Sequence, residues 1–282
     1  EKAAIYLEAL RERRRQTDYV KYFEPAGDAV KFFDGLKPEH HIWLLLGGNG
    51  SSKTMTGTAI ATAFLLGKDA FKGEAAEWWV NKLPIPDRPT TIRCVGLNKD
   101  LLKDPIWEKL TASTDHPPFL PEGSVETRKD HEFYIRMKSG AKLQGKSADV
   151  DPKTHGGPTL DLVWIDEECD GKIFDENYQR IRRGGYLLVT ATPLDDVGTT
   201  AYPWIQDLID RAEAGDPNCL ADERILGINE DADDANVIRH SRCEPGGTVE
   251  VEVARRWREE DEPDMARAVA QGGVEGFGRR EA

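Results

Sequence analysis

Residues Trp43 to Thr54 read WLLLGGNGSSKT: an apolar run, a glycine-rich turn, then Lys-Thr. This order of residue types constrains the fold more than any other stretch. An apolar run of this length suits a strand buried on both faces. The glycine-rich turn then presents backbone N–H groups that can cup phosphate oxygens at a helix start. Lys53 is placed to reach the β- and γ-phosphates of a nucleotide, and the Thr54 hydroxyl to ligate Mg²⁺. Gly47, Gly48, Asn49, Gly50, Ser51, Ser52, Lys53 and Thr54 are therefore the candidate nucleotide-binding residues. Ser52 stands where the common G-x-x-x-x-G-K-[ST] pattern has its second Gly, a position that favours Gly when the backbone must take positive φ.

A second motif lies downstream. Leu160 to Glu168 read LDLVWIDEE, a short apolar run ending in adjacent carboxylates. Asp166 is expected to hold the metal side of the site together with Thr54. Glu167 is expected to act as the general base toward water, with Lys53 as its catalytic partner on the phosphates. Glu168 is a third acid, read either as a neighbour contact or as solvated. Tyr186 to Pro193 read YLLVTATP, another buried strand whose end carries Thr190, Ala191 and Thr192. Working residues of open α/β sheets lie beyond the carboxyl ends of the strands. Thr190 to Thr192 are thus expected to feel the γ-phosphate and couple its loss to movement.

GGNGSSKT, VWIDEE and VTATP, in this order, resemble the ATPase domain of large terminases, the DNA-packaging motors of tailed double-stranded DNA viruses. The upstream FEPAGDAVKFF (Phe23 to Phe33) looks like that family's adenine-side approach, with Ala29 nearest the place where members often carry Gln. The resemblance implies a P-loop α/β fold with a central, mostly parallel sheet flanked by helices, plus a small, mostly helical lid subdomain. It implies residues 1–232 as ATPase core, 233–282 as lid or linker, and a nuclease domain absent from this chain. It implies ATP and Mg²⁺ as cofactors. The implied partners are double-stranded DNA, a portal protein, a small terminase subunit and further copies of the chain in a ring. The implied place is the host cell cytoplasm, docked transiently on a procapsid. Many members carry Arg inside the loop, where this chain has Asn49. The transition-state arginine is then expected from Arg180, Arg182, Arg183 or a neighbouring subunit. Two other readings stay open: a helicase-type motor, and a nucleotide-sensing scaffold that does not hydrolyse.

Charge bears on the DNA expectation. The net charge of -13 over 282 residues is acidic for a protein that grips phosphates. Much of it sits in EDADDA (230–235) and REEDEPD (258–264), read as solvated faces. The four cysteines, Cys94, Cys169, Cys219 and Cys243, lack metal-ligand spacing and read as free thiols. No run approaches a membrane span, and no membrane partner is expected.

The remaining elements follow from periodicity and turn signals. Helices are predicted from Lys2 to about Arg15, Thr54 to about Leu66, Asp104 to Leu110 and Trp204 to Ala214. The RERRR tail of the first reads as a solvated helix end or as a phosphate or partner contact. A strand is expected at Thr91–Val95, a hairpin around Ser139-Gly140, and a last strand at Arg224–Ile228. Ser147 to Pro158 reads as a polar loop, flanked by Lys146 and carrying Lys153, either ordinary surface lysines or contacts to a neighbour's phosphates.

Overall fold

The computed structural model describes residues 2–25, 27–48, 50–112, 116–192 and 203–221. One eight-stranded sheet organises them, in the order β3-β4-β5-β2-β6-β7-β1-β8. The strands are β1 (Ile42–Leu46), β2 (Thr91–Gly96), β3 (Val125–Lys129), β4 (Tyr134–Met137), β5 (Lys142–Ser147), β6 (Leu162–Asp166), β7 (Tyr186–Ala191) and β8 (Cys219–Ala221). From β5 to β8 every pairing is parallel, and β3-β4-β5 is an antiparallel meander. The sheet is mostly parallel and flanked by helices, as the resemblance implies.

Both faces of the central strands are covered, which is why they read as unbroken apolar runs. Alternate residues point to opposite sides. On one side Trp43, Leu45, Ile92, Leu162, Trp164 and Leu188 share a core with Ala59, Ile60, Ala63 and Phe64 of the helix Lys53–Leu66. On the other, Ile42, Leu44, Val163, Ile165, Leu187 and Val189 share one with Ile173 and Ile181 of the helix Gly171–Ile181 and with Ile205 and Leu208 of the helix Pro203–Glu213. The Lys53–Leu66 helix is buried nearly all round, and two of its buried threonines bond back to their own helix. Thr58 Oγ1 donates to the Thr54 carbonyl (2.7 Å) and Thr62 Oγ1 to the Thr58 carbonyl (2.8 Å).

The structure adds one strand and lengthens one expected helix. The first strand of the meander, β3, is absent from the sequence reading, because VETRK at a sheet edge lacks an apolar face. The helix expected at Asp104–Leu110 is part of a longer helical stretch, Lys99–Thr111, with a π-helical middle at Leu102–Glu108. Pro105 sits in that middle; with no N–H to donate, it cannot hold the ordinary i→i−4 ladder. The strand expected at Arg224–Ile228 and the lid at 233–282 lie outside the described residues; among the described residues the strand beside β1 at that edge is Cys219–Ala221. The first helix spans Lys2–Thr17, and of its basic tail Arg14 bonds Glu74 at 2.6 Å. Cys94, Cys169 and Cys219 are buried free thiols.

Candidate functional site

The chain leaves β1 at Leu46 and enters the helix at Lys53, so the glycine-rich turn caps the carboxyl end of the central strand. Gly47 N–H donates to the Ala191 carbonyl (3.2 Å), which ties the turn to the end of β7. Gly50 takes φ 82°, and Ser52 takes φ 59° and ψ 19° immediately before the helix. The missing glycine is thus missed for a physical reason: the position demands left-handed backbone, and a serine adopts it at a cost of about 1–2 kcal/mol. Asn49 lies outside the described residues.

Lys53 is buried, and its Nζ donates to the carbonyls of Gly47 (2.7 Å) and Gly48 (2.8 Å) and to Ser51 Oγ (3.4 Å). Burial lowers its pKa, while Glu167 and Asp166 pull it back up. The ammonium is thereby aimed into the turn by the loop's own oxygens.

Across from it, parallel β6 and β7 set Asp166 beside Thr190. Thr190 Oγ1 donates to Asp166 Oδ1 at 2.5 Å, and Thr54 Oγ1 lies 3.2 and 3.3 Å from the two Asp166 oxygens. Burial pushes the Asp166 carboxyl up to about 6, with the Thr190 bond acting against it and the Glu167 charge adding to it. A hydroxyl and a carboxylate converging in this way form an all-oxygen donor set. Such a pair fits Mg²⁺, which is typically held by one or two carboxylates and by substrate phosphates rather than by a protein cage.

Glu167 is set apart by its backbone, at φ 70°. A non-glycine residue there stores strain, which persists only where surrounding structure enforces it. Two bonds enforce it here: Glu167 N–H donates to the Thr190 carbonyl (2.7 Å), and Thr192 N–H donates to Glu167 Oε2 (3.1 Å). Thr192 Oγ1 lies 3.4 Å from Oε1.

The structure therefore brings together Gly47, Gly48, Gly50, Ser51, Ser52, Lys53, Thr54, Asp166, Glu167 and Thr190 to Thr192 at one end of the sheet. It revises some of their surroundings. Thr190 is fully buried and is engaged with Asp166 and with Trp164, whose Nε1 donates to Thr190 Oγ1 at 2.8 Å. Of the two threonines, Thr192 is the half-buried one and holds the Glu167 carboxylate. Glu168 is only 2% exposed, so the solvated reading of it is withdrawn. Ala29 is buried in the helix Gly27–Gly35, and the neighbouring Phe23 and Phe33 pack on Trp79 with ring centroids 6.2 and 5.2 Å apart.

The arginines are placed elsewhere. The Arg180 carbonyl accepts from Leu160 N–H, just before β6 begins, and its guanidinium donates to the Gly157 carbonyl (2.9 Å). Arg182 lines a cavity with His41, Ile42, Gly185 and Asn218, at the start of β1. Arg183 follows it in sequence before Gly184-Gly185. All three lie by the amino ends of the parallel strands, opposite the glycine-rich turn of the same chain. Lys153 is exposed in the single turn Pro152–His155, and Lys146 is half-exposed near the end of β5.

Sequence reasoning missed a buried polar knot. Arg93 of β2 is 1% exposed and donates to the His155 carbonyl (2.6 Å) and Asn177 Oδ1 (3.0 Å). Burial lowers its pKa to about 10. The signal was an arginine inside the otherwise apolar TIRCVG. The knot pins the segment between β5 and β6 against the helix Gly171–Ile181.

No protein-family model matches the chain, and no curated protein does. Solved structures do. The crystal structure of the HK97 bacteriophage large terminase aligns with a TM-score of 0.51 and 14% identity, covering 76% of this chain and 42% of that one. The large terminase of a thermophilic bacteriophage aligns at 0.44 and 10%, covering 68% and 44%. The same thermophilic phage protein in complex with ADP aligns at 0.39 and 12%, covering 60% and 39%. The chain thus spans less than half the length of these proteins. At such low identity the likeness is one of architecture: over three-quarters of its length this chain shares the fold of the HK97 large terminase.

Proposed function

We propose that this chain is the ATP-hydrolysing motor domain of a viral large terminase, driving double-stranded DNA into a procapsid. The observation that carries the reading is the convergence of Lys53, Thr54, Asp166 and Glu167 within one corner, where Thr54 touches Asp166 and the Glu167 carboxylate is held by Thr192. The same likeness of fold supports the packaging role.

In this reading the turn N–H groups and Lys53 hold the β- and γ-phosphates, and Thr54 with Asp166 holds Mg²⁺. When bound, that ion neutralises charge on the phosphates. Glu167 takes the proton of the attacking water, work worth about 10²–10⁴ in rate. The Thr192 N–H on Glu167 Oε2 orients that carboxylate, so Thr192 links the chemical step to the end of β7. The stabilising arginine comes from a neighbouring copy, since Arg180, Arg182 and Arg183 of the same chain lie at the other end of the sheet. Such a finger contributes about 10³–10⁵ in rate, so the isolated chain should turn over slowly. Portal protein, small terminase subunit, DNA and a ring of copies are the proposed partners, in the host cytoplasm at the procapsid.

The test is Mg²⁺-dependent ATP hydrolysis across protein concentration, beside Glu167→Ala. Turnover rising more steeply than protein, and collapsing in the variant, supports a site completed between copies. ATP bound with no turnover, even with DNA and at high protein concentration, would overturn the reading in favour of a nucleotide-sensing scaffold.

A further inference from the structure

Trp164 lies inside the acidic strand β6, fully buried, two residues before Asp166. Its indole N–H is a donor only. At 2.8 Å from Thr190 Oγ1 it obliges that hydroxyl to accept. Thr190 has a single hydroxyl hydrogen, and its short partner is Asp166 Oδ1 at 2.5 Å; the Ile165 carbonyl is 3.5 Å away. The direction of the chain of bonds is therefore fixed: indole to hydroxyl, hydroxyl to carboxylate. Asp166 Oδ1 thus carries the Thr190 bond, whereas Oδ2 has no bond from Thr190; Thr54 Oγ1 lies almost equally far from both, 3.2 Å from Oδ1 and 3.3 Å from Oδ2.

The indole is itself held by the helix that begins at Lys53. Gly57, one turn into that helix, faces the ring so closely that a Cβ there would stand 2.3 Å from Cε2 and 2.6 Å from Nε1 of Trp164. Any side chain at 57 would collide with the indole, so the ring and the helix could not keep their present contact. One ring is thus wedged between the phosphate-loop helix and the strand end that carries Thr190 and Thr192.

We propose that Trp164 is a positioning residue of the metal corner: seated against Gly57, it commits the Thr190 hydroxyl to Asp166 and so presents Oδ2 of that carboxylate to the cation. The proposal rests on the functional reading above. It makes Thr190 an orienter of the acid, leaves Thr192 as the residue that meets Glu167, and gives the loop helix a direct mechanical line to the metal-side acid.

The experiment uses the full chain and two readouts. The first needs no nucleotide: hydrogen exchange of the Trp164 indole N–H by NMR, assigned through Trp164→Phe. Strong protection is expected, lost in the nearly isosteric Thr190→Val and in Gly57→Ala, which keeps every hydrogen-bonding group. The second is Mn²⁺ affinity, standing in for Mg²⁺, with ADP present. Trp164→Phe and Thr190→Val should each weaken it about five- to tenfold. The double variant should be no weaker than Thr190→Val, because the two act along one line. Thr190→Ser, which keeps the hydroxyl, should restore affinity to within about twofold, whereas a purely packing role would not separate Ser from Val in this way. An indole indifferent to Thr190→Val, or Mn²⁺ affinity intact in Trp164→Phe while Thr190→Val loses it, overturns the proposal and leaves the motor reading standing. A parent chain that binds Mn²⁺ no better with ADP than without it, unaffected by Lys53→Ala, sinks the motor reading itself and with it the metal role given to Trp164. Thr190→Val keeps the question decidable should Trp164→Phe fail to fold.

Discussion

The two ends of the sheet are built on opposite terms. At the carboxyl end, Asp166 is buried and its carboxyl is pushed up to about 6. At the amino end, Asp216 just before β8 is drawn down to about 2, first by the Asn218 N–H and then by Arg211, whose Nη2 lies 2.7 Å away. Backbone strain divides likewise. Ser52 and Glu167 take left-handed φ beside the glycine-rich turn, while the turns of the amino end use Gly184 and Gly215 for positive φ. One end resists its own charges and conformations; the other satisfies them. A fold tolerates the first arrangement at a functional site, and in the function proposed above a cation and phosphates would complete it.

That contrast can be broken most decisively at Glu167. Glu167→Gln keeps the shape and an acceptor for Thr192 but removes the proposed base. Single-turnover hydrolysis should fall about 10²–10⁴-fold with ADP affinity nearly unchanged. A rate within a few-fold of the parent would move the base elsewhere and leave the strained residue without a role.

The paired carboxylates come next. A raised acid binds its proton more readily folded than unfolded, so its ionisation removes stability as pH rises from about 4 to about 6. Asp166→Asn should therefore be more stable than the parent at pH 7.5 without metal, by up to about 3 kcal/mol, and equal to it below pH 4. Asp216 has the reverse sign. Its stabilisation is present above the unfolded value and lost as pH falls toward 2. Asp216→Asn should cost about 1 kcal/mol at neutral pH, a figure kept small because solvent screens the Arg211 pair. Urea unfolding of both variants across pH checks the pair of signs. Two variants that destabilise alike at pH 7.5 would erase the distinction between the ends.

Much of this was legible in the residues, unevenly. The unbroken apolar strands IWLLL, LVWID and YLLVTA announced a parallel sheet, because burial on both faces removes the polar alternation. The order of the candidate site along the chain was legible because its residues lie at, or in the turn after, the carboxyl ends of three apolar runs. What stayed hidden depends on contacts between distant segments. Trp164 reads as one more apolar residue until Gly57 and Thr190 are beside it. Arg93 reads as surface charge until His155 and Asn177 enclose it. Arg180, Arg182 and Arg183 looked available only while β6 and β7 were not known to be parallel neighbours; that pairing puts the residues just before β7 at the amino end of the sheet. VETRK reads as loop because its strand is made by pairing with β4, not by its own pattern.

The smallest effect is also the most direct test of why the carboxyl end is strained. Ser52 stands at φ 59° and makes no side-chain cap to the helix it precedes. Gly at this position would relieve about 1–2 kcal/mol of left-handed strain. It would also add backbone freedom to the unfolded chain, which offsets about 0.5–1 kcal/mol. Ser52→Gly should therefore raise stability by about 0.5–1 kcal/mol in urea unfolding. Ser52→Ala separates strain from chemistry: it keeps the Cβ and drops the hydroxyl, so it should match the parent in stability. If Ser52→Ala instead weakens ADP binding while Ser52→Gly does the same, the serine is there for its oxygen. The strain at Ser52 would then be the cost of putting a hydroxyl beside the phosphates.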